Sequence, residues 1–186
     1  MVAETEKCLS DAKENKKKHF LSIQKANIQK RKQAMIEECK TIIHVASGAA
    51  GAAGAAGLIP IPFSDAFAIA PIQAGMIYKM NDAFGMDLDK SVGASLVAGL
   101  LGVTAIAQVG RTLANGLLKF IPVVGSVAGS ATAVAITEGI GFAYLKVLEK
   151  CFNDETGEVE LPAIGVIKSL FKENYLNLDT IKKLKP

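Results

Sequence analysis

Residues 41–64 read TIIHVASGAAGAAGAAGLIPIPFS and contain no charged side chain. Glycine recurs at every third position, with alanines between. Each glycine costs an exposed helix about 1 kcal/mol relative to alanine, so four of them need a packing reason. Small residues let helix backbones approach closely, so the run predicts a close-packed helix, with a flexible loop as the alternative. The predicted packing residues are Gly48, Gly51, Gly54 and Gly57.

The two prolines after this run predict a corner between two helices. Pro60 and Pro62 push the residues before them out of the helical region, so the first helix has to end here. Ser64 or Asp65 then offers an oxygen that can cap a second helix over residues 66–84. The segment is therefore predicted to be a helical hairpin.

A similar unit follows. Residues 91–120 are again apolar and rich in small side chains, and Asp89 is placed to cap their helix. A second corner at Pro122 and Ser126 leads into a helix over residues 126–151. Two proline-cornered hairpins are thus predicted, with chance similarity of composition as the alternative.

Three polar residues stand out in the apolar block. Asp65, Gln73 and Glu138 would form a polar track if the fold brought them together, since acids at membrane depth are commonly functional. The structural alternative is that Asp65 caps a helix, Glu138 sits at an interface and Gln73 satisfies a carbonyl freed by a kink at Pro71.

Charge is distributed unevenly along the 186 residues. Residues 41–145 carry nine charged side chains, whereas residues 1–40 carry sixteen and residues 146–186 carry fourteen. A water-exposed domain needs polar side chains over its core, so a bilayer, a partner subunit or the chain's own ends should cover the middle block. We predict three parts: a basic helical arm over 1–40, an apolar hairpin domain over 41–151, and a turn with a covering helix over 152–186.

The two ends have different predicted roles. Residues 161–176 place apolar side chains at helical spacing, which predicts an amphipathic helix docked on the bundle. The arm has ten basic and six acidic residues and favours one long helix. Its basic clusters are expected to contact anionic lipid head groups, with a solvated face as the alternative. Nucleic acid is not expected, because aromatic side chains for base stacking are nearly absent. The clusters are Lys16, Lys17, Lys18, Lys30, Arg31 and Lys32.

Two segments have the length and polarity to cross a bilayer. Residues 91–110 are twenty residues without a charge, and residues 120–137 are eighteen uncharged residues. Basic residues at both ends predict that both termini are cytoplasmic. The alternative is a water-soluble helical bundle with one membrane-seeking face, because Ala and Gly also suit tight packing between soluble helices.

Motifs for catalysis are missing from the sequence. Residues 85–91 have the spacing of a phosphate loop, but Asp89 stands where glycine is required and its carboxylate would repel phosphate. Neither histidine has a partner at metal-ligand spacing, and the three cysteines form no CxxC pair. We therefore expect no catalytic residue, metal site or cofactor, and predict that the chain is not an enzyme.

The segment GLIPIPFSD at residues 57–65, followed by PIQ at 71–73 and MI at 76–77, resembles the domain-of-unknown-function family numbered 697. The likeness covers roughly residues 41–150. It implies a bacterial, helical, membrane-associated domain of the kind that often follows an Era-like GTPase, with no agreed activity. This chain lacks an intact phosphate loop and an NKxD element, so the resemblance implies a separate GTPase as partner.

The sequence thus predicts an all-α, membrane-associated scaffold or interaction module that self-assembles through Ala/Gly faces into a homo-oligomer. The alternative is a soluble bundle that inserts a hairpin to form pores or remodel membranes.

Overall fold

The computed structural model describes residues 2–56, 64–109 and 127–175, and these residues fold into helices without a β-sheet. The all-α prediction is confirmed. The helices are α1 (Val2–Ala56), α2 (Ser64–Ala83), α3 (Lys90–Val109), α4 (Val127–Cys151) and α5 (Ile164–Tyr175).

The first helix is much longer than the others. It runs for 55 residues, or about 82 Å at 1.5 Å per residue, and passes residue 40 without interruption. The basic arm and the glycine run, which the sequence suggested as separate parts, therefore share one helix. Lys, Gln, Glu and Ala favour this conformation, and packing against α4 compensates for the glycines.

The carboxyl-terminal half of α1 lies antiparallel to both α2 and α4. Ile43 contacts α4 at Gly141, and the Cys39 Sγ lies 3.9 Å from the carbonyl oxygen of Met80 on α2. The three helices enclose one apolar core to which α3 and α5 also contribute. Its large buried side chains are Ile43, Met76, Ile77, Met80, Leu96, Leu100, Ile140, Tyr144, Leu148, Ile167 and Phe171.

Local chemistry explains where α2 ends and α3 begins. Gly85 adopts a positive φ of 70° and its N–H donates to the carbonyl of Asp82, which terminates α2. Asp89 Oδ1 accepts hydrogen bonds from the Ser91 backbone N–H and from Ser91 Oγ, both at 2.7 Å. These bonds lower the pKa of Asp89, as expected for a carboxylate that caps a helix. The predicted cap is confirmed.

The covering helix is present as predicted, over Ile164–Tyr175. Ile167, Phe171 and Tyr175 face the core, and the rings of Phe171 and Tyr175 stack with centroids 5.6 Å apart. It packs on α3 and α4.

The structure describes the two predicted hairpins to different extents. The antiparallel packing of α1 on α2 is that of the first hairpin, although its corner at Pro60 and Pro62 lies outside the described residues. The second corner, Pro122 with Ser126, also lies outside them. Within the described part of the chain, α3 packs mainly on α5 and then on α2, an arrangement that the hairpin pattern did not predict.

Candidate interaction surfaces

The seam between α1 and α4 is a tight helix contact that depends on glycine on both helices. A Cβ added to Gly51 would lie 2.7 Å from Val134 Cγ2, and one added to Gly141 would lie 2.6 Å from Ile43 Cγ1. Both positions therefore require glycine for the helices to approach this closely. The glycine of α4 was not singled out from the sequence, because its role depends on the partner that the fold places opposite it.

The other glycines of the run lie elsewhere. Gly48 is exposed, with no atom within 4 Å of the position of an added Cβ. Gly54 is half-buried and Gly57 lies outside the described residues. The run therefore presents Gly51 to α4 and Gly48 to the surface.

Two buried hydrogen bonds join α2 to α4. Gln73 Nε2 donates to Thr137 Oγ1 at 3.2 Å, and the Tyr144 hydroxyl donates to Asn81 Oδ1 at 2.5 Å. Burial raises the pKa of Tyr144 far above its usual value, so this hydroxyl stays protonated. Gln73 thus pairs with a neighbouring helix.

The three polar residues of the proposed track are not brought together by contacts among the described side chains. Glu138 Oε1 lies 3.2 Å from His44 Nδ1 on α1, and His44 packs edge-on against Phe142. Asp65 lies in the first turn of α2 beside Ser64, and its side chain is outside the described part. Pro71 lies within α2 and is exposed.

The amino-terminal half of α1 is exposed along its described length. Every side chain from residue 12 to residue 27 is exposed, including Phe20 at 60% and Ile23 at 46%. Lys16, Lys17, Lys18, Lys30 and Arg31 all belong to this exposed surface, and Lys18 pairs with Glu14 one turn away at 2.8 Å.

Lys32 differs from the other predicted lipid-contacting residues. Its ammonium lies 2.8 Å from Asp154 Oδ1 and 4.9 Å from the centroid of the Phe152 ring. Gln29 donates to the same carboxylate oxygen at 3.0 Å. These bonds lower the pKa of Asp154 and attach α1 to the turn after α4. Lys32 is thus part of the bundle.

A shallow apolar groove of about 380 Å³ lies between α1 and α2. Its polar members are Thr41 and Lys79, which lie at the same end because the two helices are antiparallel. The sequence does not mark this groove, because it arises only from the register of the two helices. The apolar lining consists of Ile42, Val45, Ala46, Ala49, Pro71, Ile72, Gly75 and Met76.

The exposed face of α3 after Lys90 is also uncharged. Its exposed positions between residues 91 and 102 are Ser, Val, Ala and Gly, without a charged side chain. The opposite face of the helix carries Leu96, Val97 and Leu100 into the core. The side chains of residues 91–102 are thus divided between a packed apolar face and an exposed face of small residues and Val92.

Reactive and metal-binding groups are few. In the described ranges, no three His, Cys, Asp or Glu residues are close enough to hold a metal ion. Burial, with a smaller effect of Glu38, raises the pKa of the Cys39 thiol to about 12, and burial also raises the pKa of Cys151.

None of the helices in the described part of the chain combines the length and the hydropathy needed to cross a bilayer. The predicted span at residues 91–110 is therefore not supported there, and most of the second candidate, residues 120–137, lies outside that part.

Comparison with known proteins gives one relative of interest. Magnetosome membrane protein 22 of Magnetospirillum gryphiswaldense is 27% identical over 118 residues, which cover 63% of this chain and 60% of the relative. The chain thus matches somewhat more than half of the length of that protein. No protein-family model matches the chain, and no solved structure matches it significantly.

Proposed function

We propose that this chain is a non-enzymatic helical scaffold that associates with membranes through its amino-terminal arm. The single observation that carries the proposal is the exposed half of α1, which is rich in lysine and in which every side chain from residue 12 to residue 27 is exposed. Residues 12–32 hold eight basic side chains and one acidic one. Such a segment is attracted to anionic lipid by about 1 kcal/mol for each basic residue near the surface.

The arm also presents apolar side chains among its lysines. Lys16, Phe20 and Ile23 are spaced by four and three residues and so share one side of the helix, while Lys13 and Lys17 flank it. A helix with this pattern can lie in the plane of a membrane, with its aromatic and aliphatic side chains below the head groups. Two like-charged arms would repel each other, which disfavours pairing of arms as the reason for their exposed apolar residues.

The relative supports a membrane role, since its name describes a membrane protein of the magnetosome. The resemblance of residues 57–77 to family 697 points the same way. In this proposal the protein attaches to the cytoplasmic side, where anionic head groups attract basic segments. The lipid contacts are made by Lys16, Lys17, Lys18, Lys30 and Arg31, without Lys32.

Self-assembly is the second part of the proposal. The exposed small residues of α1 and α3, including Gly48, Ala94 and Ala98, form uncharged surface of the kind that allows close helix contact. Copies attached to one membrane would meet through this surface. A separate GTPase as partner follows from the family resemblance alone.

Vesicle flotation tests the membrane part. The intact protein should float with vesicles of phosphatidylcholine and phosphatidylglycerol, weakly or not at all with phosphatidylcholine alone, and less as salt increases. Replacing Lys16, Lys17 and Lys18 by Gln should weaken binding by about 3 kcal/mol, at about 1 kcal/mol for each lysine. A matched triple change of Lys146, Lys168 and Lys172, which lie on α4 and α5, is the control.

Equal binding of the arm variant and the control would contradict the proposal. Release of dye from the same vesicles by the unmodified protein would instead favour the pore-forming alternative.

Mass measurement of the Gly48→Leu variant tests self-assembly. A leucine at this exposed position should lower the oligomer mass.

A further inference from the structure

The groove between α1 and α2 combines an apolar wall with one positive end. Ile42, Val45 and Ala49 form one side, facing Pro71, Ile72 and Gly75 on α2. Val45 remains 66% exposed, whereas Ile43 and Ala46 beside it on the helix are buried. The volume of about 380 Å³ falls in the lower part of the range for small-molecule sites.

The two ends of the groove differ in charge. Because α1 and α2 are antiparallel, Thr41 and Lys79 share one end, and Ala49 and Pro71 share the other. Among the described residues, no acidic group lies within 4.0 Å of the Lys79 ammonium. The positive charge at this end is therefore available to an anionic ligand.

We propose that this groove binds one acyl chain of an anionic lipid, with the chain along the apolar wall and the carboxylate or phosphate at Lys79. The inference rests on the proposed membrane association and adds a defined lipid site to it. Charge complementarity selects this occupant: one cation at one end matches one anionic head, and the remaining lining is hydrocarbon. The Thr41 hydroxyl at the same end donates to the Glu37 carbonyl oxygen at 3.2 Å, so Lys79 is the group that meets the anionic head.

The structure offers a variant that fills the groove without damaging the fold. Gly75 is exposed and lines the groove, and no atom lies within 4 Å of the position of an added Cβ. Gly75→Leu should therefore fold and occupy the space of the acyl chain. Gly165→Leu is the matched control, because Gly165 on α5 is exposed, has no atom within 4 Å of the position of an added Cβ and is not part of the lining.

The test measures binding of a fluorescent long-chain fatty acid, below its micelle concentration, to the full chain. We expect one probe per chain and displacement by lysophosphatidylglycerol. Gly75→Leu should weaken binding at least about tenfold, because the leucine takes the volume of several methylene groups. Lys79→Gln should weaken it about fivefold, and Gly165→Leu should leave it unchanged.

Displacement by lysophosphatidylglycerol shows that phosphate heads are accepted, and its failure with retained fatty-acid binding assigns the site to carboxylates. Equal affinity of Gly75→Leu and the unmodified protein overturns the proposal, as does no binding at all. A lower oligomer mass in Gly75→Leu, without fatty-acid binding to either form, would assign the groove to a second copy and also overturn it.

The same proteins distinguish this inference from the proposed function. Flotation with anionic vesicles but no fatty-acid binding removes the groove site and leaves membrane association through the arm. Fatty-acid binding without flotation removes the membrane role of the arm and leaves the site.

Discussion

The two halves of α1 belong to one helix but have opposite surroundings. Phe20 and Ile23 in the amino-terminal half are 60% and 46% exposed, whereas Cys39, Ile43 and Ala50 in the carboxyl-terminal half are fully buried. Helix propensity does not explain the difference, because the glycines lie in the buried half and the strong helix formers in the exposed half. The neighbours explain it: α2 and α4 have 20 and 25 residues and so extend about 30–38 Å along a helix of about 82 Å.

Charge follows the same division. The buried half has no charged side chain after Lys40, whereas the exposed side chains of residues 12–27 include five lysines and one glutamate. One half is thus specified for packing, and for the other half we propose contact with a membrane. Five predictions test this division, in order of decreasing expected effect.

Gly141→Val should be the most destabilising change, by about 3 kcal/mol in the free energy of unfolding, because the added methyl groups collide with buried Ile43 at the α1–α4 seam. Denaturant unfolding followed by circular dichroism measures it. Gly165→Ala is the control, since its Cβ would meet no atom within 4 Å and should leave stability unchanged or slightly raised. A harmless Gly141→Val would show that the seam is not the tight contact between the two helices.

Tyr144→Phe should cost about 1–2 kcal/mol, because it leaves the buried Asn81 carbonyl oxygen without its hydroxyl donor. Adding Asn81→Leu should recover much of the loss, since an apolar side chain of similar size needs no partner. The same denaturation assay measures the free energy of unfolding of the double variant. A double variant that is no more stable than Tyr144→Phe alone would contradict the prediction.

The reactivity of the Cys39 thiol tests whether the carboxyl-terminal half of α1 is buried. Its thiol should react with a thiol reagent at pH 8 at least about ten times more slowly than Cys151, because burial raises the pKa of Cys39 to about 12. Mass spectrometry of labelled peptides measures both rates. Similar rates would show that α1 separates readily from α2.

The same thiol predicts a pH dependence of stability. The folded pKa of Cys39 lies above the unfolded value of 9.0, so its contribution is fully present below pH 9 and is lost as pH rises towards 12. The stability difference between the unmodified protein and Cys39→Ala should therefore shrink from pH 8 to pH 10. A difference that stays constant would contradict the assignment.

Lys32→Ala should have the smallest effect, about 0.5–1 kcal/mol, because it removes a partly exposed ion pair with Asp154 and a contact with the Phe152 ring. A double-mutant cycle with Asp154→Asn isolates the pair. Lys17→Ala, on the exposed half, is the matched control with no expected loss. Equal losses at both positions would show that the bundle also contacts α1 at residue 17, so that the exposed segment ends nearer the amino terminus.

Much of the fold follows from local sequence. The predicted helix over 126–151 is found at Val127–Cys151, and the one over 161–176 at Ile164–Tyr175, because capping residues and apolar spacing are local signals. The proposed polar track illustrates the limit. Gln73 and Glu138 pair with Thr137 and His44, and these pairings depend on helix register rather than on spacing within one segment.

The candidate surfaces also differ in whether the sequence alone predicts them. The lysine clusters of the arm are visible in the sequence because they are contiguous, but the pairing of Lys32 with Asp154 joins residues 122 positions apart. The groove with Lys79 at one end has no sequence signature, since its two walls come from different helices.

By itself, the sequence determined that this protein is helical, that its charge lies mainly at the two ends, and that glycine permits close packing in the middle. These properties depend on composition and on spacing within a few turns. Only the tertiary structure decided which glycine meets α4, where along α1 the bundle stops, and which lysines remain exposed. Those outcomes depend on the lengths and registers of helices that are distant in sequence, because burial is a property of neighbours in space.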